Sequence, residues 1–201
     1  MNLLIIIATG IISFIAFNNK DLFDRLKFNA YEARHSREYY RFFSYGLVHA
    51  DIIHLVINMF VLYSFGRIVE SHFVAIYGTK TGIFIYVFMY VAAIAISTLS
   101  AFGKHKDNPY YNAVGASGAV SAVVFASILL APYSKIAFIL LPIPIPSPVF
   151  GLLYLAYSAY MGRRSHDNIG HDAHFWGALF GFFFPVLLKP DLFSRFFELL
   201  F

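Results

Sequence analysis

At 201 residues the chain has room for one domain, and it is 59% apolar, 19% aromatic and only 13% charged, where soluble proteins carry roughly a quarter charged residues. With a mean hydropathy of +0.67, its apolar residues gather in blocks near span length, which excludes an ordinary soluble enzyme and predicts a polytopic membrane protein. Cysteine is absent, which removes disulfides, thiolate metal ligands and cysteine nucleophiles, and the net charge of +4 is scattered near a membrane surface, giving nucleic-acid binding no support.

Residues 2–18 form the first apolar block; without a basic n-region or a small-x-small cleavage site it reads as a span rather than a signal peptide. Residues 19–41 carry six of the fifteen Lys/Arg, interleaved with Leu22, Phe23, Leu26, Phe28 and Tyr31, a mixture that predicts an amphipathic segment at the interface. The second span covers 51–69 and holds His54 and Asn58; the third covers 82–102. A loop then ends on Gly115-Ala116-Ser117-Gly118, which opens a fourth apolar run over 115–131. That run makes only about 25 Å of helix, too short to reach both faces of a ~30 Å hydrocarbon core. Pro142, Pro144, Pro146 and Pro148 mark a loop, because each removes an amide donor and clashes with the preceding helical turn. Spans five and six cover 149–162 and 172–188, the last stopped by Lys189-Pro190.

The expected fold is therefore all-α: one domain, 1–201, of six transmembrane helices with both termini on one side. The shorter blocks predict local bilayer thinning or shielding by neighbouring helices. With the N-terminus inside, ten Lys/Arg fall in outward loops and five in inward ones, so the positive-inside rule favours the reverse orientation.

His54 and Asn58 stand at i and i+4 near the start of span two and share a helical face. Ser117 heads span four and His174 heads span six. Consecutive spans alternate direction, so the N-terminal ends of spans two, four and six lie at one level whichever way the chain is inserted. Polar groups buried in lipid are costly and tend to mark function. An imidazole in reach of a serine takes its proton as general base and returns it to the leaving group. Acyl transfer also needs donors aimed at the developing oxyanion, and Asn58, His54 and the Ser117 N–H are suitable. Gly115 and Gly118 allow close backbone approach. Gly177 and Gly181 form a GxxxG face, which brings His174 to Ser117 if it packs on span four. Each piece has a plainer reading. Ser117 alone is a helix cap or packing residue, His54 and Asn58 an interhelical hydrogen-bonding pair, and His171 a loop histidine or, alternatively, a ligand. His35, His72, His105 and His166 read as solvated.

Arg41-Phe42-Phe43, His49-Ala50-Asp51-Ile52-Ile53-His54-Leu55-Val56-Ile57-Asn58-Met59, Gly115-Ala116-Ser117-Gly118 and Ala173-His174-Phe175-Trp176-Gly177-Ala178-Leu179-Phe180-Gly181 follow one another in the chain. With Gly66-Arg67 at the end of span two and Glu70 just after it, this order resembles the rhomboid intramembrane serine proteases. The resemblance implies a compact rhomboid-like bundle that cuts transmembrane substrate proteins in or beside their span through an acyl-enzyme. It implies a Ser117–His174 dyad without an aspartate and an oxyanion hole of His54, Asn58 and Ser117. His49 is then a supporting residue and the first loop a membrane-embedded hairpin, with membrane lipid around the bundle and neither cofactor nor metal. Family topology implies a cytoplasmic N-terminus in a bacterial-type cell membrane, with the site opening to the outer face. Two positions depart from the pattern. Tyr40 stands where a tryptophan often precedes Arg41, and Ser121 stands where an aromatic commonly packs on the imidazole, which leaves His174 either held by another aromatic such as Phe175 or Trp176 or else looser and slower. The rivals are a rhomboid-like protein that binds clients without cutting them and a histidine-box metalloenzyme using His49, His54, His171 and His174. The chain lacks adjacent His-His pairs and an HExxH motif, both of which weigh against the metal reading.

Overall fold

Apolar runs punctuated by glycine and proline give a mostly helical chain; the computed structural model describes residues 1–137, 143–164 and 170–200. Helix α1 (Asn2–Phe17) leads into a folded connection of α2 (Lys20–Leu26), strand β1 (Phe28–Asn29), α3 (Ala30–His35), α4 (Arg41–Ser44) and a 3-10 turn (Tyr45–Leu47). Two long helices follow, α5 (Ile52–Tyr77) and α6 (Thr79–His105), and then β2 (Asn112–Ala113) and α7 (Ser117–Leu130). Strands β3 (Lys135–Ile136) and β4 (Ile145–Pro146) precede α8 (Ser147–Arg164), α9 (His171–Leu188) and α10 (Asp191–Glu198). Both strand pairs, β1 with β2 and β3 with β4, are antiparallel.

Among the described residues, α5 and α6 are each long and apolar enough to cross a membrane, and α9 with α10, bent by 112°, makes a third candidate if counted as one span. Helices α1 and α7 are apolar but shorter. The second and third spans outrun their apolar limits: α5 continues to Tyr77 and α6 starts at Thr79, joined by Gly78 at φ +81°. The polar Arg67, Glu70 and His72 do not end α5, because Val69 and Phe73 on the same stretch are fully buried and hold it against the core. Of the proline cluster, Pro148 sits in the first turn of α8, where no intrahelical amide bond is lost; Pro142 and His166 lie outside the described residues.

The connection between α1 and α5 is tied down by bonds to main-chain carbonyls and by strand pairing. Arg41, 7% exposed, donates from Nη1 to the carbonyls of Asp24 (2.9 Å) and Lys27 (2.8 Å) and from Nε to Glu38 (2.5 Å). Its guanidinium lies 5.4 Å from the Tyr40 ring centre. Phe28 is fully buried against Phe42 and Tyr45, and β1 pairs Phe28 with Ala113 just ahead of α7.

Helix α7 is the centre of the molecule. Its 14 residues make about 21 Å of helix, and every residue from Gly118 to Leu130 is buried. A helix enclosed on all sides has no need of a polar face, which explains its uninterrupted small and apolar sequence. Helices α5, α6, α8 and α9 surround it. Against α9 the contact is backbone to backbone. A Cβ on Gly177 would lie 2.1 Å from the Gly118 carbonyl oxygen, and one on Gly181 would lie 2.0 Å from that of Ala122. The GxxxG face of α9 thus meets α7 at spacings that admit only glycine.

Candidate active site

The turn into α7 is set by Gly115, whose φ of +105° lies in the left-handed region that glycine tolerates. Its N–H donates to the Tyr45 carbonyl at 3.0 Å. A Cβ at this position would come within 2.5 Å of the His54 ring, so the imidazole of α5 rests directly on the turn. The cap residue of α7 is Ala116, which offers no side-chain bond, and the first helical residue is Ser117. The serine hydroxyl is thereby free of capping duty. It lies 2.8 Å from Nε2 of His174. The first intrahelical amide bond of α7 runs from Val120 to Ala116, so the N–H of Ser117 belongs to the orphan donors of a helix start.

His174 sits in the first turn of α9, its own N–H donating to the Gly170 carbonyl at 3.0 Å. The neighbouring Asp172 holds this end of α9 to the end of α6: Ser100 Oγ donates to its carboxylate at 3.4 Å and Lys104 forms an ion pair with it. Gly118 also needs its missing side chain, since a Cβ would meet Ser97 Oγ of α6 at 2.4 Å.

His49 is fully buried behind the turn. Ser13 Oγ of α1 donates to the Leu47 carbonyl at 2.8 Å and lies 2.9 Å from His49 Nδ1. With the hydroxyl proton so directed, Nδ1 donates to Ser13, and Nε2 accepts the Ala116 N–H at 3.4 Å. Burial, with the nearby His54 second, pushes the imidazole down to about 3, so it is neutral and keeps the acceptor that Ala116 requires. Its ring lies edge-on to His54 at 5.0 Å. Asn58, 5% exposed, donates from Nδ2 to the His54 carbonyl at 2.9 Å; the same amide carries a second N–H.

The structure thus gathers His49, His54, Gly115, Ser117, Gly118 and His174, with Gly177 behind them, around the N-terminal ends of α5, α7 and α9. Other histidines go elsewhere. His35 stays exposed beside Tyr31 and Asp107, His72 bonds the Ile68 carbonyl, and the half-buried His105 lies flat on Tyr111 at 3.8 Å. His171 is no loop histidine. It is the buried first residue of α9, edge-on to Tyr157 at 5.5 Å and 6.1 Å from the His174 ring. Among the described residues no three His, Asp or Glu side chains converge as metal ligands.

Several members of this arrangement escaped the sequence reading. Ser13 and Ser97 carried a usable signal, being polar side chains inside apolar spans. Tyr154 of α8 carried none. Its ring stacks on His174 at 6.3 Å and 29°, and its hydroxyl lies 2.6 Å from Ser121 Oγ. Tyr154 thus lies beside His174, as does the His171 ring, while Phe175 and Trp176 pack on each other at 5.5 Å with Trp176 exposed.

The chain matches the family described as Rhomboid domain over residues 36–191. It is 28% identical over 137 residues to RHOMBOID-like protein 12, mitochondrial, of Arabidopsis thaliana, covering 65% of this chain and 40% of that protein. It is 30% identical over 146 residues to the Presenilin-associated rhomboid-like protein, mitochondrial, of Homo sapiens, covering 68% of this chain and 34% of the relative. The corresponding protein A of Danio rerio is 30% identical over 138 residues, covering 66% and 33%. The chain thus spans about a third to two fifths of the length of these curated relatives. All three names carry the word mitochondrial, which overturns the expectation of a bacterial-type cell membrane.

Proposed function

The chain belongs to the rhomboid family, and on that premise we propose that it is an intramembrane serine endopeptidase acting on transmembrane proteins. The observation that carries the reading is the 2.8 Å contact between Ser117 Oγ and His174 Nε2. In this reading α1, α5, α6, α7, α8 and α9 are six spans. The short α7 is shielded from lipid by its neighbours, and residues 19–41 form a hairpin embedded at the membrane surface. The names of the relatives support a mitochondrial membrane as its setting.

His174 Nε2 takes the Ser117 proton as Oγ attacks the scissile carbonyl carbon. The negative charge that forms on the carbonyl oxygen falls to the Ser117 N–H, the His54 imidazole and the second N–H of Asn58. The protonated His174 then gives its proton to the leaving amine as the C–N bond breaks, leaving an acyl group on Ser117. Water, deprotonated by the same nitrogen, attacks the ester and restores the hydroxyl. The scissile bond must be presented in extended form, because helical carbonyls are already hydrogen-bonded and shielded. Clients whose helix unwinds easily near its end meet that condition.

The test is labelling of the detergent-solubilised protein with a fluorophosphonate probe, followed by cleavage of a transmembrane substrate. Ser117→Ala is expected to abolish both, consistent with losses on the order of 10⁶-fold when the nucleophile of a serine protease is removed. Labelling that survives Ser117→Ala sinks the assignment. A wild-type protein that neither labels nor cuts, yet retains transmembrane clients, supports the client-binding alternative.

A further inference from the structure

We propose that Tyr154 of α8 is the positioning residue for the His174 imidazole, anchored through Ser121, so that the ring steadying the base is supplied by α8 instead of α7. The proposal rests on the protease reading above.

Position 121 faces inward one turn after Ser117 and is 5% exposed, yet it holds only a hydroxymethyl group. The space beside it is filled from across the interface. Gly151 of α8 lies against Ile128 and Phe125 of α7, where an added Cβ would sit 3.2 Å and 3.5 Å from their side chains. That approach brings the next turn of α8 onto α7. Tyr154, three residues on and on the same face, is wedged between Phe125 (5.7 Å) and Phe150 (5.8 Å) with its face toward His174.

The hydroxyls fix the ring along its length. Ser121 Oγ donates to the Ser117 carbonyl at 2.8 Å, so its one proton is committed and the Tyr154 O–H donates to Ser121 across 2.6 Å. A relay of two hydrogen bonds therefore ties the phenol to the backbone of the nucleophile, while the ring body lies against the base. Tyr154 lies alongside the imidazole, ring centres 6.3 Å apart, and is tied through Ser121 to the Ser117 main chain. It sets the two in register without taking part in proton transfer.

The experiment combines turnover of a transmembrane substrate with the ring resonances of His174 in histidine-labelled protein, assigned with His174→Ala. Tyr154→Leu is expected to lower kcat by up to about 10²-fold, the scale of a 1 Å misplacement, with KM unchanged. The His174 resonances move and their titration midpoint shifts. Tyr154→Phe keeps the ring and retains most of kcat. Unchanged His174 resonances or unchanged kcat in Tyr154→Leu overturn the proposal, as does a loss in Tyr154→Phe equal to that in Tyr154→Leu. Should Tyr154→Leu not fold, Ser121→Ala decides. It removes the anchor and leaves every ring, and is expected to shift the same resonances by less; no shift overturns the proposal. Failure of the wild type to react with a fluorophosphonate sinks the protease reading separately, and the resonances still report whether Tyr154 holds His174.

Discussion

Helix α7 meets α9 and α8 on two faces, and the two contacts are built from different materials. Toward α9 there is backbone against backbone, with Gly177 and Gly181 on the carbonyls of Gly118 and Ala122. Toward α8 there are side chains: Tyr154, bonded to Ser121 and flanked by Phe125 and Phe150, with Gly151 against the flexible end of Ile128. The first contact fixes the distance between Ser117 and His174, because main-chain atoms cannot yield. The second orients the imidazole and can adjust by rotating side chains. A serine–histidine pair built this way draws its spacing from one neighbour and its aim from the other.

The sharpest way to break that contrast is Gly177→Leu. Its Cβ alone falls 2.1 Å from the Gly118 carbonyl oxygen, so α9 is expected to be expelled, with loss of a cooperative thermal transition and of all probe labelling. A folded, reactive Gly177→Leu would show that the α7–α9 contact is not what sets the spacing. Next in size is Asn58→Ala, on the third wall of the site. If its second N–H serves the oxyanion, kcat falls by about 10²–10³-fold while folding persists; unchanged turnover removes Asn58 from that role.

A smaller effect comes from His49, which supports the start of α7 from behind. The folded chain holds this imidazole at about 3 and the usual value is 6.5, mainly through burial. The unfolded chain therefore takes up the proton first as pH falls. The stabilisation is complete above about 6.5 and is lost progressively toward about 3. The thermal midpoint of the wild type should drop more steeply across that window than that of His49→Gln, which does not titrate. Parallel slopes would mean that the fold does not hold His49 neutral across that window. The smallest effect expected is Gly151→Ala, where the new methyl meets the tip of Ile128 at 3.2 Å and the Phe125 ring at an ordinary contact distance of 3.5 Å. Its melting temperature and labelling rate should stay near those of the wild type, and a loss as large as that of Gly177→Leu would erase the difference between the two faces.

How far the site could be read in advance depended on the kind of contact. Alternating spans predict only a shared level for the N-terminal ends of α5, α7 and α9, and the two glycines of α9 announce a close helix crossing by composition alone. Helix ends were harder, because apolar content marks where lipid would begin and not where hydrogen bonding stops. So α5 runs on through Glu70 and His72 to Tyr77, carried by packing of Val69 and Phe73. The membrane setting was misjudged because a motif order is shared across compartments and carries no address.

Motif order, composition and apolar blocks were enough for the family, the helical class and the polar positions to look for. Tertiary structure alone decided which tautomer His49 takes, because that depends on where the Ser13 proton goes, and which ring lies on His174. Ser121 left a space whose filling depended on how closely α8 approaches α7, where Gly151 lies against the side chains of Ile128 and Phe125. No pattern within α8 separates Tyr154 from Tyr157 or Tyr160; only the packing of α8 against Ser121 and His174 singles it out.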